Sequence, residues 1–398
     1  MNHPQDGLPT QDSPLPNGAH SGLRDVHRAI TSLRCGATVK LDVDPETTLI
    51  LLAAETASEA GLAAFAEHAT GAARLLVAPA RAANLRGWQA GGWPTDRPRP
   101  DRSRSGPSSR AESLFLPESL MNPKALHALA DPTLPQLPPL AEWDHQQAKA
   151  GQSHNSAGAE AAIALAKLAR LLPAVMTAPT IRSGDVAVSA AAVLAYPAMA
   201  SRGLVQVAQA LVPLEDAPDA RVLAFRAPET AVEHLAIVIG QPETREAPLV
   251  RIHSECFTGD LLGSLRCDCG PQLRAAIRRI AEDGGGVLLY LSQEGRGIGL
   301  VNKLRAYALQ DRGLDTYDAN GELGWGADER DYLAAATMLE LLGIPKLRLL
   351  TNNPDKLAAL TACGVEVVGR ESHVIPPNGI NDRYLETKVS RFGHLFSS

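Results

Sequence analysis

Cys256, Cys267 and Cys269 stand in a C-x10-C-x-C arrangement and are three of only five cysteines in a 398-residue chain. A disulfide across one intervening residue is strained, and the charge and glycine of "RCDCG" do not suit three small buried hydrophobes. Three thiolates do suit a catalytic zinc, which takes three protein ligands and keeps a fourth position for water. Cys35 and Cys363, isolated on apolar stretches, read as small buried side chains.

Groups suited to a phosphorylated substrate surround that cluster in sequence. Arg251 precedes it, Arg296 lies in "QEGRGIG", and Lys356 lies in "TNNPDK". Glycine-rich loops let backbone N–H groups approach phosphate oxygens, and a helix N-terminus favours anions. Asp328 and Arg330 fall in the first turn expected for the helix "DERDYLAAATMLELLG", where Asp328 suits an N-cap. An arginine there opposes the helix dipole, so Arg330 calls for another reason.

The elements that must hold these residues can be read from pattern. From Val26 to about Leu85, helix-like and strand-like stretches alternate in "VHRAITSLRCG", "TTLILLAAE", "SEAGLAAFAEHATG" and "ARLLVAPA". Residues 87–113, rich in Pro, Gly, Ser and Arg, read as a flexible linker, and without interleaved aromatics they do not suggest RNA contact. Beyond about Leu204, strands are expected at "RVLAFRA", "HLAIVIG" and "LVRIHSE", then the helix "PQLRAAIRRIAEDGGG" and the strand "GVLLYLSQ". The loop "EGRGIG", the amphipathic helix "LVNKLRAYALQDRG" and the strands "KLRLLT" and "VEVVGR" complete that half. The expected class is α/β (α+β) in two domains, residues 26–203 and 204–398, the second a mixed sheet with flanking helices.

Composition narrows the partners. Hydrophobic residues at 45%, charged residues at 21% and a net charge of -6 give no general attraction to nucleic acid or an anionic membrane. The polar, Pro-rich residues 1–25 read as a disordered leader rather than a secretory signal. The most apolar helical stretch, "AAIALAKLARLLPAV", is broken by Lys167 and Arg170 and is too short to span a bilayer. A cytoplasmic protein with reduced cysteines is therefore expected.

Together, "RIHSECFTGDLLGSLRCDCGPQL", "QEGRGIGLVNKLRAYALQD", "GWGADERDYLAAATMLELLG" and "LTNNPDKLAALTACGV" resemble GTP cyclohydrolase II in order and spacing, from about Ala210 to the C-terminus. The resemblance implies zinc on Cys256, Cys267 and Cys269. It implies GTP contacts from Arg251, Ile252, His253, Ser254, Glu255, Gln272, Glu294, Gly295, Arg296, Thr316, Thr351 and Lys356. The implied reaction removes guanine C8 as formate and releases pyrophosphate, leaving a diaminopyrimidinone ribosyl monophosphate, the first step of riboflavin synthesis. Zinc lowers the pKa of water toward neutrality, which suits attack on an electron-poor imidazole carbon, and magnesium would accompany the triphosphate.

By the resemblance Tyr307 matches a family tyrosine near the metal that positions the second hydration; on residue pattern alone, its place on an amphipathic helix favours a packed side chain. Arg330 matches a residue assigned as nucleophile on the α-phosphorus, with Asp328 as its proton acceptor. A guanidinium pKa above about 12 makes charge stabilisation the easier role. A homodimer is also implied. Two other readings are a paralogue that stops at a formylated ring-opened product and a GTP-binding regulatory pseudoenzyme. Retention of Tyr307, and of the cysteines with Asp328 and Arg330, speaks against each in turn.

The first half is similar, more distantly, to 3,4-dihydroxy-2-butanone 4-phosphate synthase, in "VHRAITSLRCGATVKLDV", "AAETASEAGLAAFAEHATG" and "EAAIALAKLARLLPA". Where that family has an acid-rich, magnesium-binding loop, this chain has only "DVDPETT", and Gly158 stands in place of the family's histidine, with Glu160 retained. One carboxylate does not replace the lost metal ligands. A shortened, catalytically inactive relative, kept for packing or assembly, is expected.

Overall fold

The computed structural model describes residues 17–87, 111–135, 156–181, 186–228, 230–326, 328–376 and 379. Most of the expected linker lies outside the described residues.

The first half is built on β1 (Val39–Asp42), β2 (Thr48–Ala53), β3 (Arg74–Val77), β4 (Glu112–Phe115), β5 (Ala174–Pro179) and β6 (Ala187–Ser189). Their order is β4-β3-β5-β2-β1-β6, antiparallel except for β1 with β6. β2 and β5 are mostly apolar and almost wholly buried because both faces of this sheet are covered. One face meets α1 (Asn17–Arg34), α5 (Ser156–Leu168) and α6 (Ala190–Arg202), through Leu23, Val26, Ile163 and Val193. The other meets α2 (Glu59–His68), α3 (Pro79–Gly87) and α4 (Pro123–Ala130), through Leu62, Phe65 and Leu126. Helix α1 starts at Asn17, inside the expected leader, because Leu23, Val26 and Leu33 recur at helical spacing and are buried.

The second half is built on β7 (Val205–Leu211), β8 (Arg221–Arg226), β9 (Glu233–Ile239), β10 (Leu249–Ser254), β11 (Gly286–Leu291), β12 (Lys346–Leu350) and β13 (Glu366–Glu371). The order is β13-β12-β10-β11-β9-β8-β7. β11, β10, β12 and β13 run parallel, and β9, β8 and β7 add on antiparallel. The helices are α7 (Cys269–Glu282), α8 (Leu300–Asp311), α9 (Thr316–Glu322), α10 (Leu333–Leu341) and α11 (Pro354–Ala362). After β10 the chain adds β11 on one side and then β12 on the other. Such a reversal opens a crevice beyond the carboxyl ends of the strands, where open α/β sheets bind ligands.

Two local differences from the sequence expectation matter. Helix α10 starts at Leu333, not near Asp328: Asp331 Oδ1 accepts from Leu333 N at 2.8 Å, which leaves Asp328 and Arg330 in the preceding loop. Helix α9 was not expected; Asp315 caps it by accepting from Asp318 N at 2.8 Å. With α8 it carries Ala306, Leu309 and Ala319 into the core of the first half, so one apolar cluster joins both halves. Among the described residues, no helix is long and apolar enough to cross a membrane.

Candidate active site

The crevice beyond β10, β11 and β12 is an open cleft of about 1130 Å³, counting the solvent in its mouth. Every residue singled out above for GTP or for metal lines it, as do Tyr307 and Arg330. Asp328 does not; it stands behind Arg330 and accepts from Arg330 Nε at 2.7 Å, from Arg330 N at 3.1 Å and from a terminal guanidinium nitrogen.

The three cysteines meet where the end of β10 faces the start of α7. Their Sγ atoms all lie within 4.8 Å of one another, with Cys256 and Cys267 at 3.7 Å. Tetrahedral zinc with Zn–S bonds of about 2.3 Å needs sulfurs about 3.8 Å apart. Gly259 makes room for them, since a Cβ there would lie 2.6 Å from Cys267 Sγ and 3.0 Å from Cys256 Sγ. Hydrogen bonds from Cys267 and Cys269, helped by the Lys303 ammonium, hold Cys256 far below the ordinary thiol range. The same bond to Cys256, with burial, pushes Cys267 up to about 11, and Cys269 rises for the same reasons. A cation at their centre would let three neighbouring thiols ionise together, so the donor set fits zinc. Cys35 is exposed and Cys363 half-buried, so neither is the core side chain that its apolar surroundings suggested.

Around the sulfurs runs a network the sequence did not reveal. Lys303 donates from Nζ to Cys256 Sγ at 3.0 Å, Thr258 Oγ1 at 2.9 Å and Glu294 Oε1 at 2.9 Å. Glu294 also accepts from Phe257 N at 2.6 Å, which locks the Phe257–Leu261 turn over the cluster. Asp260 accepts from Cys256 N at 2.9 Å and from the Tyr290 hydroxyl at 3.0 Å, and faces His253 Nε2 at 3.1 Å. Lys303 sits on an amphipathic helix where a lysine normally reads as a solvated charge; only its spacing from Tyr307, one turn on, could have marked it.

Elsewhere in the cleft, cations brace strand ends. Burial lowers Arg251 to about 10, and its guanidinium donates to Leu350 O at 2.9 Å and Gln272 Oε1 at 2.6 Å. Lys356 Nζ donates to Ile252 O at 2.9 Å. Arg251 Nε, His253 Nδ1 and Ser254 Oγ are buried without a protein partner among the described residues. Three such atoms within four residues of the cleft-lining end of β10 point to a polar ligand, because unpaired buried polar groups are costly. Burial pushes Tyr307 up to about 12, so its hydroxyl keeps its proton. In "QEGRGIG", Gly295 and Arg296 both take left-handed backbone, which turns the chain sharply and brings Arg296 to the cleft.

A family model described as GTP cyclohydrolase II matches residues 205–372. A "GTP cyclohydrolase-2" of Azospirillum brasilense is 43% identical over 388 residues, covering 94% of this chain and 95% of the relative. A protein of the same name from Enterobacter sp. (strain 638) is 52% identical over 179 residues, 45% of this chain and 91% of its own length. A "Riboflavin biosynthesis protein RibBA" of Bacillus cytotoxicus is 56% identical over 165 residues, 42% of each chain. With a relative of that identity along nearly its whole length, this chain belongs to the GTP cyclohydrolase II family.

Proposed function

We propose that the cleft opens the guanine ring of GTP and releases formate and pyrophosphate with zinc held by Cys256, Cys267 and Cys269. The chain is a GTP cyclohydrolase II, an enzyme of riboflavin biosynthesis. One observation carries the finer reading: a three-sulfur site of zinc dimensions shares a cleft with an arginine fixed by a carboxylate. When bound, zinc supplies a Lewis acid and water of lowered pKa.

The chain's own residues divide the remaining work. Lys303 places a positive charge beside the thiolates, and the protonated Tyr307 hydroxyl offers a hydrogen bond near the imidazole end of the substrate. At the other end Arg330 offsets charge that develops on the phosphates. Burial pushes the Asp328 carboxyl up, but its hydrogen bonds to Arg330 and that residue's charge outweigh this and hold it below the ordinary carboxylate range. A carboxylate so stabilised is a poor proton acceptor, which favours Asp328 as the group that orients Arg330 over Asp328 as a base. Arg251, His253 and Ser254 supply polar atoms for the nucleotide, and magnesium accompanies its triphosphate.

The same reading divides the chain at residues 203 and 204 and gives the first half no synthase chemistry. A Cβ at Gly158 would lie 2.8 Å from Val43 Cγ2, so the packing leaves no room for a histidine. Asp44 caps its own short turn, accepting from Glu46 N at 3.0 Å and Thr47 N at 2.8 Å. Incubating the zinc-loaded protein with GTP and magnesium should give formate, pyrophosphate and the diaminopyrimidine in equal amounts. Accumulation of a formylated pyrimidine, or bound GTP without turnover, would replace this reading with one of the alternatives.

A further inference from the structure

The loop that carries Asp328 and Arg330 is gripped from both sides by the first half of the chain. On one side Lys167, at the end of α5, pairs with Glu329 at 2.5 Å, both largely buried, and its ammonium lies 5.4 Å from the centroid of the Trp325 ring. On the other side Ser201, at the end of α6, donates to Asp331 Oδ2 at 2.5 Å. Glu329 in turn ties the loop to the turn bearing Arg296: its N–H donates to Arg296 O at 3.0 Å and its carboxylate accepts from Gly326 N at 2.7 Å.

The backbone at this junction is unusual. Arg170 and Arg296 are the two non-glycine residues with positive φ among the described residues, at 59° and 62°. Arg170 O accepts from Asn302 Nδ2 at 3.1 Å, at the start of the helix that carries Lys303 and Tyr307. Left-handed backbone in a non-glycine residue costs of order 1 kcal/mol and persists where the surroundings over-determine it. On α8, Arg305 is held between Glu55 at 2.9 Å and Asp131 at 2.8 Å, again from the first half.

We propose that the first half is a working part of the GTP site, with Lys167 and Ser201 as positioning residues that set the Arg330 loop. This rests on the reading of Arg330 as the phosphate-end residue. Neither side chain lines the cleft, so both act through Glu329 and Asp331. Displacing a reacting group by about 1 Å costs about a hundredfold in rate.

The test uses the full-length protein, with zinc content and thermal unfolding as checks on the fold. Lys167→Met should lower kcat roughly ten- to a hundredfold with little change in KM, and Lys167→Arg should restore most of it. Ser201→Ala, which removes one oxygen, should lower kcat in the same way by a smaller factor. In an Arg330→Ala background, Lys167→Met should add almost no further loss, because its effect passes through Arg330. Wild-type kcat in both Lys167→Met and Ser201→Ala, or a full additional loss on top of Arg330→Ala, would overturn the inference. A wild-type protein that releases no formate or pyrophosphate would instead overturn the reading of the site, and the inference with it.

Discussion

At the scale of single residues the cleft separates two chemistries by distance along one nucleotide. Arg330→Ala should slow pyrophosphate release by about a hundredfold or more, the usual cost of removing a charge-stabilising donor. Tyr307→Phe should spare that step and slow ring opening, and quantifying formate and pyrophosphate separately distinguishes them. If both variants lose both products in the same proportion, the division of labour is wrong. Gly259→Ala makes a sharper structural prediction: its methyl group would enter the space of Cys267 and Cys256 Sγ. Overpacking costs about 1–3 kcal/mol, and here it falls on the sulfur site, so metal content should drop well below that of wild type. The cysteine trio was legible in the sequence because its ligands are close together. Lys303, Asp260 and Asn302 were not, since the contacts that bury them come from distant segments.

At the scale of elements, junctions between loops decide the site. Gly297 takes a φ of 98°, and a Cβ there would lie 2.6 Å from Glu329 O. Gly297→Ala should therefore push the Arg296 turn away from the Arg330 loop and lower kcat while zinc content stays normal. The helix that starts at Leu333 shows why this region was only half legible. "DERD" offers several carboxylates near the helix start, and Asp331, the one that accepts from Leu333 N, is itself held by Ser201 and by Gln293, whose Nε2 donates to Asp331 O at 2.8 Å. Strands β8 to β13 were legible because each is a short stretch rich in Val, Leu and Ile between turn signals.

A pH dependence belongs to this scale too. Burial lowers His234 and His373 to about 4, and His234 Nδ1 accepts from Ser292 N at 3.1 Å, a bond that protonation breaks. Both folded values lie below the unfolded value near 6.5, so the unfolded chain binds more protons between about pH 6.5 and 4. Stability is then full above about pH 6.5 and falls with decreasing pH through that window, by about 1 kcal/mol per pH unit for each histidine. Denaturant unfolding across this range should show the slope, and His234→Gln should flatten it.

At the scale of the whole molecule, the two halves share a core. Ile298, Ala306, Leu309, Ala319, Leu323 and Trp325 of the second half pack against Leu126, Leu172 and Met176 of the first. Sequence periodicity indicated two domains but not this seam, because α8 reads as amphipathic without showing what its apolar face meets. A chain started at Leu204 keeps every cleft residue yet bares that face, and exposed apolar patches of this kind drive aggregation. Such a truncation should be poorly soluble and far less active per folded molecule. The intact protein, for its part, should make no dihydroxybutanone phosphate from ribulose 5-phosphate at any magnesium concentration.

The measurement that bears most directly on the central claim is formate release set against metal content across the three cysteines. Wild type should carry about one zinc per chain, and Cys256→Ser, Cys267→Ser and Cys269→Ser should each lose zinc and formate release together, because a neutral hydroxyl does not replace a thiolate. Zinc-free protein that still opens the guanine ring at the wild-type rate would contradict the account.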